Sequence, residues 1–116
     1  MSDTAPRPTA TDQAPQDEED TELTANALKA MAHPLRWKIL CTLGEEEMSV
    51  GDIVDQTGTS QSNISQHLEQ LRNKNILVSR KEANRIFYRI RNPKLLELIG
   101  IMRSVLCPAN LDDRYR

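Results

Sequence analysis

The sequence predicts a small, mainly α domain carrying one β-hairpin, in the order α-α-α-α-β-β-α. Three observations lead there. Apolar residues recur at helical spacing in four successive segments between Leu23 and Leu71, each bounded by a capping residue, a proline or a glycine. The pattern then turns strand-like, first over Ile76-Leu77-Val78 and again over Arg85-Ile86-Phe87-Tyr88-Arg89-Ile90. Helical spacing returns after Pro93. At 116 residues and 38% apolar composition, the chain can build one such domain and not two.

Residues 1–20 hold Pro6, Pro8 and Pro15 among Thr, Asp, Gln and Glu and offer almost nothing to bury, so a disordered acidic tail is expected there. Residues 109–116 look like a second, shorter tail, which leaves 21–108 as the folded unit. Thr21 can cap a first helix with Leu23, Ala27, Leu28 and Met31 on one side. Pro34 suits the first turn of a second helix bearing Leu35, Ile39, Leu40 and Leu43, and Gly44 stops it. After the acidic loop Glu45-Glu46-Glu47, Ser49 and Asp52 have capping-box spacing for a short third helix over 50–56, which buries Val50, Ile53 and Val54. Gly58 supplies the next turn. Ser60 starts a fourth helix in which Ile64, Leu68 and Leu71 share one face.

The strands around Leu77 and Phe87 bend at Glu82-Ala83-Asn84, with Asn84 the residue best suited to a positive φ. Asn92 and Pro93 open a last helix whose Leu95, Leu96, Leu98, Ile99, Ile101, Met102, Val105 and Leu106 are apolar on more than one side. That surplus exceeds what a small core needs and implies a partner surface, most simply in a homodimer.

A short helix, a glycine turn, a polar-faced helix and a basic hairpin make a winged helix-turn-helix. The outward N-terminal face of the fourth helix is Ser60, Gln61, Ser62, Asn63, Ser65 and Gln66. Small hydroxyls and amides suit the floor of the major groove, where Gln can pair bidentately with adenine and Ser fits base edge or phosphate. An ordinary solvated face would more often show Lys and Glu. The hairpin adds Arg80, Lys81, Arg85 and Arg89, placed to hold the DNA backbone or enter a minor groove. Charge follows the same division: residues 1–22 carry a net −6 and residues 61–94 a net +6, an asymmetry hidden by the overall −2.

Other classes fit poorly. No apolar run approaches the roughly 18–20 residues that span a bilayer. The N-terminus lacks the basic-then-apolar pattern of a signal peptide, so a cytoplasmic location is expected. Two cysteines do not make a disulfide scaffold. Four aromatic residues are too few for a single-strand stacking surface. No nucleophile–base–acid set, phosphate-cradling loop or metal triad is visible, so neither an enzyme nor a cofactor is expected. A protein-interaction module built on a winged helix is the alternative from another class.

The segments "LKAMAHPLRWKILCTL", "EMSVGDI" and "SQSNISQHLEQLRNKNILVSRKEANRIFYRI", with the closing helix, resemble the ArsR/SmtB family of bacterial repressors over about residues 24–107. The resemblance implies a winged-helix homodimer whose first and last helices form the interface. It further implies release of palindromic, double-stranded operator DNA when an inducer binds. Gln61, Ser62, Ser65 and Gln66 match the family's base and phosphate readers, and Arg85 its wing contact. The wing tip departs from the pattern, with Ala83-Asn84 where the family often has glycine.

Ser49 and Gly51 stand where many members carry two metal-binding cysteines, so that soft-metal site is absent. The last helix has no His or Asp for the family's second metal site, and His67 reads as structural. Spacing alone leaves Cys41 a small buried residue and Cys107 a free terminal thiol. The resemblance implies more. Their placement is similar to that of the branch that senses reactive sulfur species, the BigR/SqrR/HlyU-like repressors, in which two such cysteines become joined by a disulfide or polysulfide and DNA affinity falls. Genes of sulfide or sulfur oxidation are the targets this implies. General-oxidant or metal sensing through the same cysteines are the rivals within the family.

Overall fold

The structure, a computed structural model, describes residues 18–107. The elements are α1 (Glu18–Met31), α2 (Pro34–Leu43), β1 (Met48–Ser49), α3 (Val50–Thr57), α4 (Gln61–Asn73), β2 (Leu77–Glu82), β3 (Arg85–Ile90) and α5 (Pro93–Leu106). The expected order holds, with one addition. The two-residue β1 pairs antiparallel with β3, Met48 opposite Tyr88 and Ser49 opposite Phe87, giving a sheet of order β1-β3-β2. The fold is a winged helix.

Local chemistry sets most boundaries. His33 caps α2, its side chain accepting from the Leu35 N–H, with Pro34 in the first turn. Gly44 ends that helix at φ +53. Ser49 and Asp52 form the expected capping box on α3, with bonds of 3.2 and 3.3 Å, and Gly58 closes α3 in the left-handed region. Asn75, at φ +62, ends α4 in a Schellman arrangement: the Ile76 N–H donates to the Leu71 carbonyl and the Asn75 N–H to that of Arg72, both at 3.0 Å.

Three expectations need correction. The first helix starts at Glu18 rather than after Thr21, so residues 18–20 of the expected tail are helical. Acidic Glu18, Glu19 and Asp20 favour the positive end of the helix dipole, which explains the earlier start. The rest of that tail and the one at 109–116 lie outside the described residues. At the wing tip the positive φ, +57, belongs to Ala83 and not to Asn84. Glu82 and Arg85 are directly paired, so only two residues turn the chain. Matching the twist of the strands then puts the unusual φ on the first of the two. Finally, of the apolar stripe expected on α1 only Met31 is buried, with Ala30, whereas Leu23 and Leu28 are 64% and 54% exposed.

The core lies between α2, α3, α4 and the inner face of the sheet. Ile39, Leu40, Leu43, Ile53, Ile64, Leu68, Leu71 and Leu77 are fully buried, and Met48, Tyr88 and Ile90 close it from the strands. On α5 only Ile99 is buried, while Leu98, Ile101, Val105 and Leu106 face outward. Among the described residues no helix is long and apolar enough to cross a membrane.

Candidate nucleic-acid interface and thiol pair

Helix α4 is held by its own periodicity. Ile64, Leu68 and Leu71 sink fully into the core, so the opposite face of its first two turns must point outward. Gln61, Ser62, Asn63 and Gln66 are exposed there, and Ser65 is half-buried. Ser60 has a structural task as well: its hydroxyl accepts from the Asn63 N–H at 3.3 Å as the cap of α4. Gln61 and Ser65 look into an open groove of about 480 Å³, walled by Ser49, Val50 and Gly51 of the α3 start and by Asn84–Ile86 and Tyr88 of the wing. The structure therefore brings the polar face of α4 and the wing to one side of the molecule.

The wing cations divide by strand alternation. Arg80 stands opposite Phe87, and Arg85 opposite Glu82, on the outer face of the hairpin. Both guanidiniums lie over the Phe87 ring, at 4.8 and 5.1 Å from its centroid. Arg80 also donates to Glu47 at 2.8 Å and to Glu82 at 2.7 Å. The bonds to Glu47 and Glu82 raise the Arg80 pKa, and in return hold the Glu47 carboxyl below its usual range. Arg85 folds back on the α3 capping box, donating to Ser49 Oγ at 2.8 Å with Asp52 3.9 Å away. Lys81, opposite Ile86 on the other face, is exposed and pairs with no carboxylate among the described residues.

Sequence reasoning missed two polar ties. Glu69 takes Arg72 in a two-point contact at 3.1 and 2.8 Å and accepts from the Tyr88 hydroxyl at 3.3 Å, joining α4 to β3. The Arg72 hydrogen bond holds the Glu69 carboxyl low, and burial pushes the Tyr88 phenol up. On the inner side, Arg36 Nε donates to His67 Nδ1 at 3.0 Å. The helical spacing of Glu69 and Arg72 was a visible signal; no pattern in the sequence links Arg36 to His67.

Cys41 on α2 and Cys107 at the C-terminal cap of α5 are both half-buried and unbonded. They are electrostatic neighbours. Burial pushes the Cys41 thiol above its ordinary range, Arg103 opposes this, and Cys107 adds to it. Cys107 also borders an apolar cavity of about 400 Å³ among Leu28, Met31, Trp37, Met102 and Leu106. Among the described residues, no three His, Cys, Asp or Glu side chains group to hold a metal ion.

Comparison with known proteins agrees with this architecture. Residues 33–79 match the family described as bacterial regulatory protein, arsR family. The chain is 40% identical over 91 residues to nodulation protein NolR of Rhizobium meliloti, covering 78% of this chain and 75% of that one. It is 39% identical over 83 residues to a biofilm growth-associated repressor of Xylella fastidiosa, covering 72% and 73%. The structure of HlyU from Vibrio cholerae superposes with a TM-score of 0.72 at 35% identity, covering 78% of this chain and 99% of that one. A helix with an exposed polar face beside a wing, in a chain with relatives at this level of identity, leads to one conclusion: this protein belongs to the arsR family and is a DNA-binding transcriptional regulator, not an enzyme.

Proposed function

We propose that the protein is a homodimeric repressor of a palindromic operator, released when Cys41 and Cys107 become joined, and that it acts in the cytoplasm on genes of sulfide or sulfur oxidation. The observation that carries the DNA reading is the two-sided character of α4: three fully buried anchors, and Gln61, Ser62, Asn63 and Gln66 exposed on the face beside the wing. Ser60 and Ser65 border that face, and Arg80, Lys81 and Arg85 belong to the wing alongside it. Dimerisation is supported by the apolar residues left outside the core, Leu23 and Leu28 on α1 and Leu98, Ile101, Val105 and Leu106 on α5. A two-fold pair would set its reading helices about 34 Å apart, in successive major grooves.

The thiol half is supported by two free, half-buried cysteines, Cys41 on α2 and Cys107 at the end of α5, the charge of Cys107 being felt at the Cys41 thiol. An oxidised low-molecular-weight disulfide would take two electrons from the pair and leave as two thiols, each carrying one of the displaced protons. A persulfide donor would hand its outer sulfur to one cysteine, and attack by the other thiolate would expel hydrosulfide to leave a disulfide. If the donor persulfidates both cysteines, each transfer leaving the donor as a thiol, attack of one terminal sulfur on the inner sulfur of the other expels hydrosulfide and leaves a three-sulfur bridge. Either bridge ties α2, which packs on the reading helix, to the dimerisation helix, and a shift of a few ångströms would cost base contacts worth roughly 1–3 kcal/mol each.

The test is a DNA titration of wild type, Cys41→Ser and Cys107→Ser against a duplex selected by the wild-type protein, with and without persulfide donor and glutathione disulfide. Wild type should lose affinity as mass spectrometry shows the two cysteines linked, and neither variant should respond. Linkage without loss of affinity, or loss of affinity in both variants, would remove the thiol mechanism. Equal affinity for unrelated duplexes would remove the repressor.

A further inference from the structure

The buried side of α4 carries one polar residue among its apolar anchors. His67 is half-buried where α4 meets the start of α2, and Arg36 Nε donates to its Nδ1 at 3.0 Å. The same guanidinium donates through Nη1 to the Ala30 carbonyl in the last turn of α1, at 3.3 Å. His33 lies against the His67 ring, centroids 4.5 Å apart and planes inclined by 40°, while its own Nδ1 caps α2. One side chain of α4 is thereby tied, through Arg36, to α2 and α1. Base reading explains none of this.

Apolar burial is non-directional. Ile64, Leu68 and Leu71 fix how deep α4 sits but tolerate small rolls about its axis, which would swing Gln61 and Gln66 away from base edges. A hydrogen bond weakens steeply as it bends, so a single one can set the roll. Base reading needs placement to about 0.5 Å and 10–20°.

We propose that Arg36, backed by His33, is a positioning residue for DNA reading: it holds α4 in the roll that presents Gln61, Ser62 and Gln66, through a bond that only neutral His67 can accept. The inference rests on the reading of α4 given above. A proton on Nδ1 turns the acceptor into a donor facing another donor, and adds a charge beside the guanidinium. Burial first, then His33 and Arg36, hold His67 below the ordinary histidine range, so the accepting form prevails at neutral pH. Among the described residues, the charged or titratable groups acting on it are those two, both from the start of α2. Acidification therefore weakens sequence reading while adding positive charge that favours phosphate. The two effects have opposite sign, and the ratio of specific to non-specific affinity separates them.

The experiment uses the full chain and two probes, the duplex that wild-type protein enriches from a random-sequence pool and a shuffled version of it. For wild type, the affinity ratio should be constant above about pH 7 and fall about tenfold by about pH 5.5, equivalent to part of one base contact. His67→Asn keeps an acceptor near the Nδ1 position and cannot titrate. It should keep the neutral-pH ratio within about twofold and lose the pH dependence. Arg36→Lys keeps the charge but not the planar donor, and should lower the ratio about tenfold while leaving the shuffled duplex bound as before. Imidazole nitrogen spectra of the wild type locate the His67 midpoint without any substitution, and the fall in ratio must coincide with it. A ratio flat across that midpoint, or equal losses on both duplexes for Arg36→Lys, overturns the positioning role and leaves DNA reading intact. A wild-type protein that enriches no duplex overturns both.

Discussion

Removal of single wing cations distinguishes the charges the structure leaves available from those it has already spent. Three basic residues, Arg80, Lys81 and Arg85, would contribute alike if charge count alone mattered. In the fold, Arg80 has Nε and Nη1 committed to Glu47 and Glu82 and its face against Phe87, so few donors remain for a phosphate. Lys81 is exposed and unpaired among the described residues. Each phosphate neutralised by a cation contributes about 0.9 to the slope of log affinity against log salt. Lys81→Ala should thus flatten the slope by about 0.9 per subunit, about 1.8 for a dimer, on specific and shuffled duplexes alike. Arg80→Gln should change it by less than about 0.3 per subunit. The assay is fluorescence anisotropy across a salt series at fixed pH. If Arg80→Gln flattens the slope as much as Lys81→Ala, the Glu47 and Glu82 pairs break on DNA, and the assignment of wing charge made from the free protein is wrong.

Other outcomes follow from local geometry. Ala83 at φ +57 carries about 1–2 kcal/mol of left-handed strain, partly offset in glycine by about 0.5–1 kcal/mol of extra unfolded-state freedom. Ala83→Gly should then stabilise by about 0.5–1 kcal/mol and raise Tm by a few degrees at fixed protein concentration. Ser49→Ala removes the α3 capping box and the Arg85 acceptor together, and should cost about 1–2 kcal/mol in urea unfolding, whereas Ser62→Ala should cost almost nothing. Because burial raises the Cys41 thiol, its alkylation in Cys107→Ser should speed up about tenfold per pH unit from 7 to 8.5 without a plateau, and Arg103→Gln should slow it further. A plateau near pH 7 would show an activated thiolate that the structure does not provide.

Much of the fold was legible because it is local. Pro34, Gly44, Ser49 with Asp52, Gly58 and Ser60 act within a few residues of their own positions, and each does in the structure what its type and spacing imply. The polar face of α4 was legible for the same reason, since three buried anchors at helical spacing leave no other direction for Gln61, Ser62 and Gln66. The start of α1 and the wing-tip φ were misplaced locally, and the other errors appeared where a partner distant in sequence decides. β1 is two residues long and exists only because β3 lies beside it. Leu23 and Leu28 have the spacing of a core stripe, yet periodicity records a need for burial and not what supplies it.

The sequence by itself determined the order of the helices and of the hairpin, the ends of α2, α3 and α4, the polar face of α4 and the surplus apolar helix, because these follow from side-chain periodicity and backbone capping along one stretch of chain. Only the tertiary structure decided that Arg80 is neutralised by Glu47, that Arg85 turns back to Ser49 and that Arg36 meets His67. Coulomb attraction and hydrogen bonding act through space over a few ångströms, and residues more than thirty positions apart in the chain come within that range only after the core has packed.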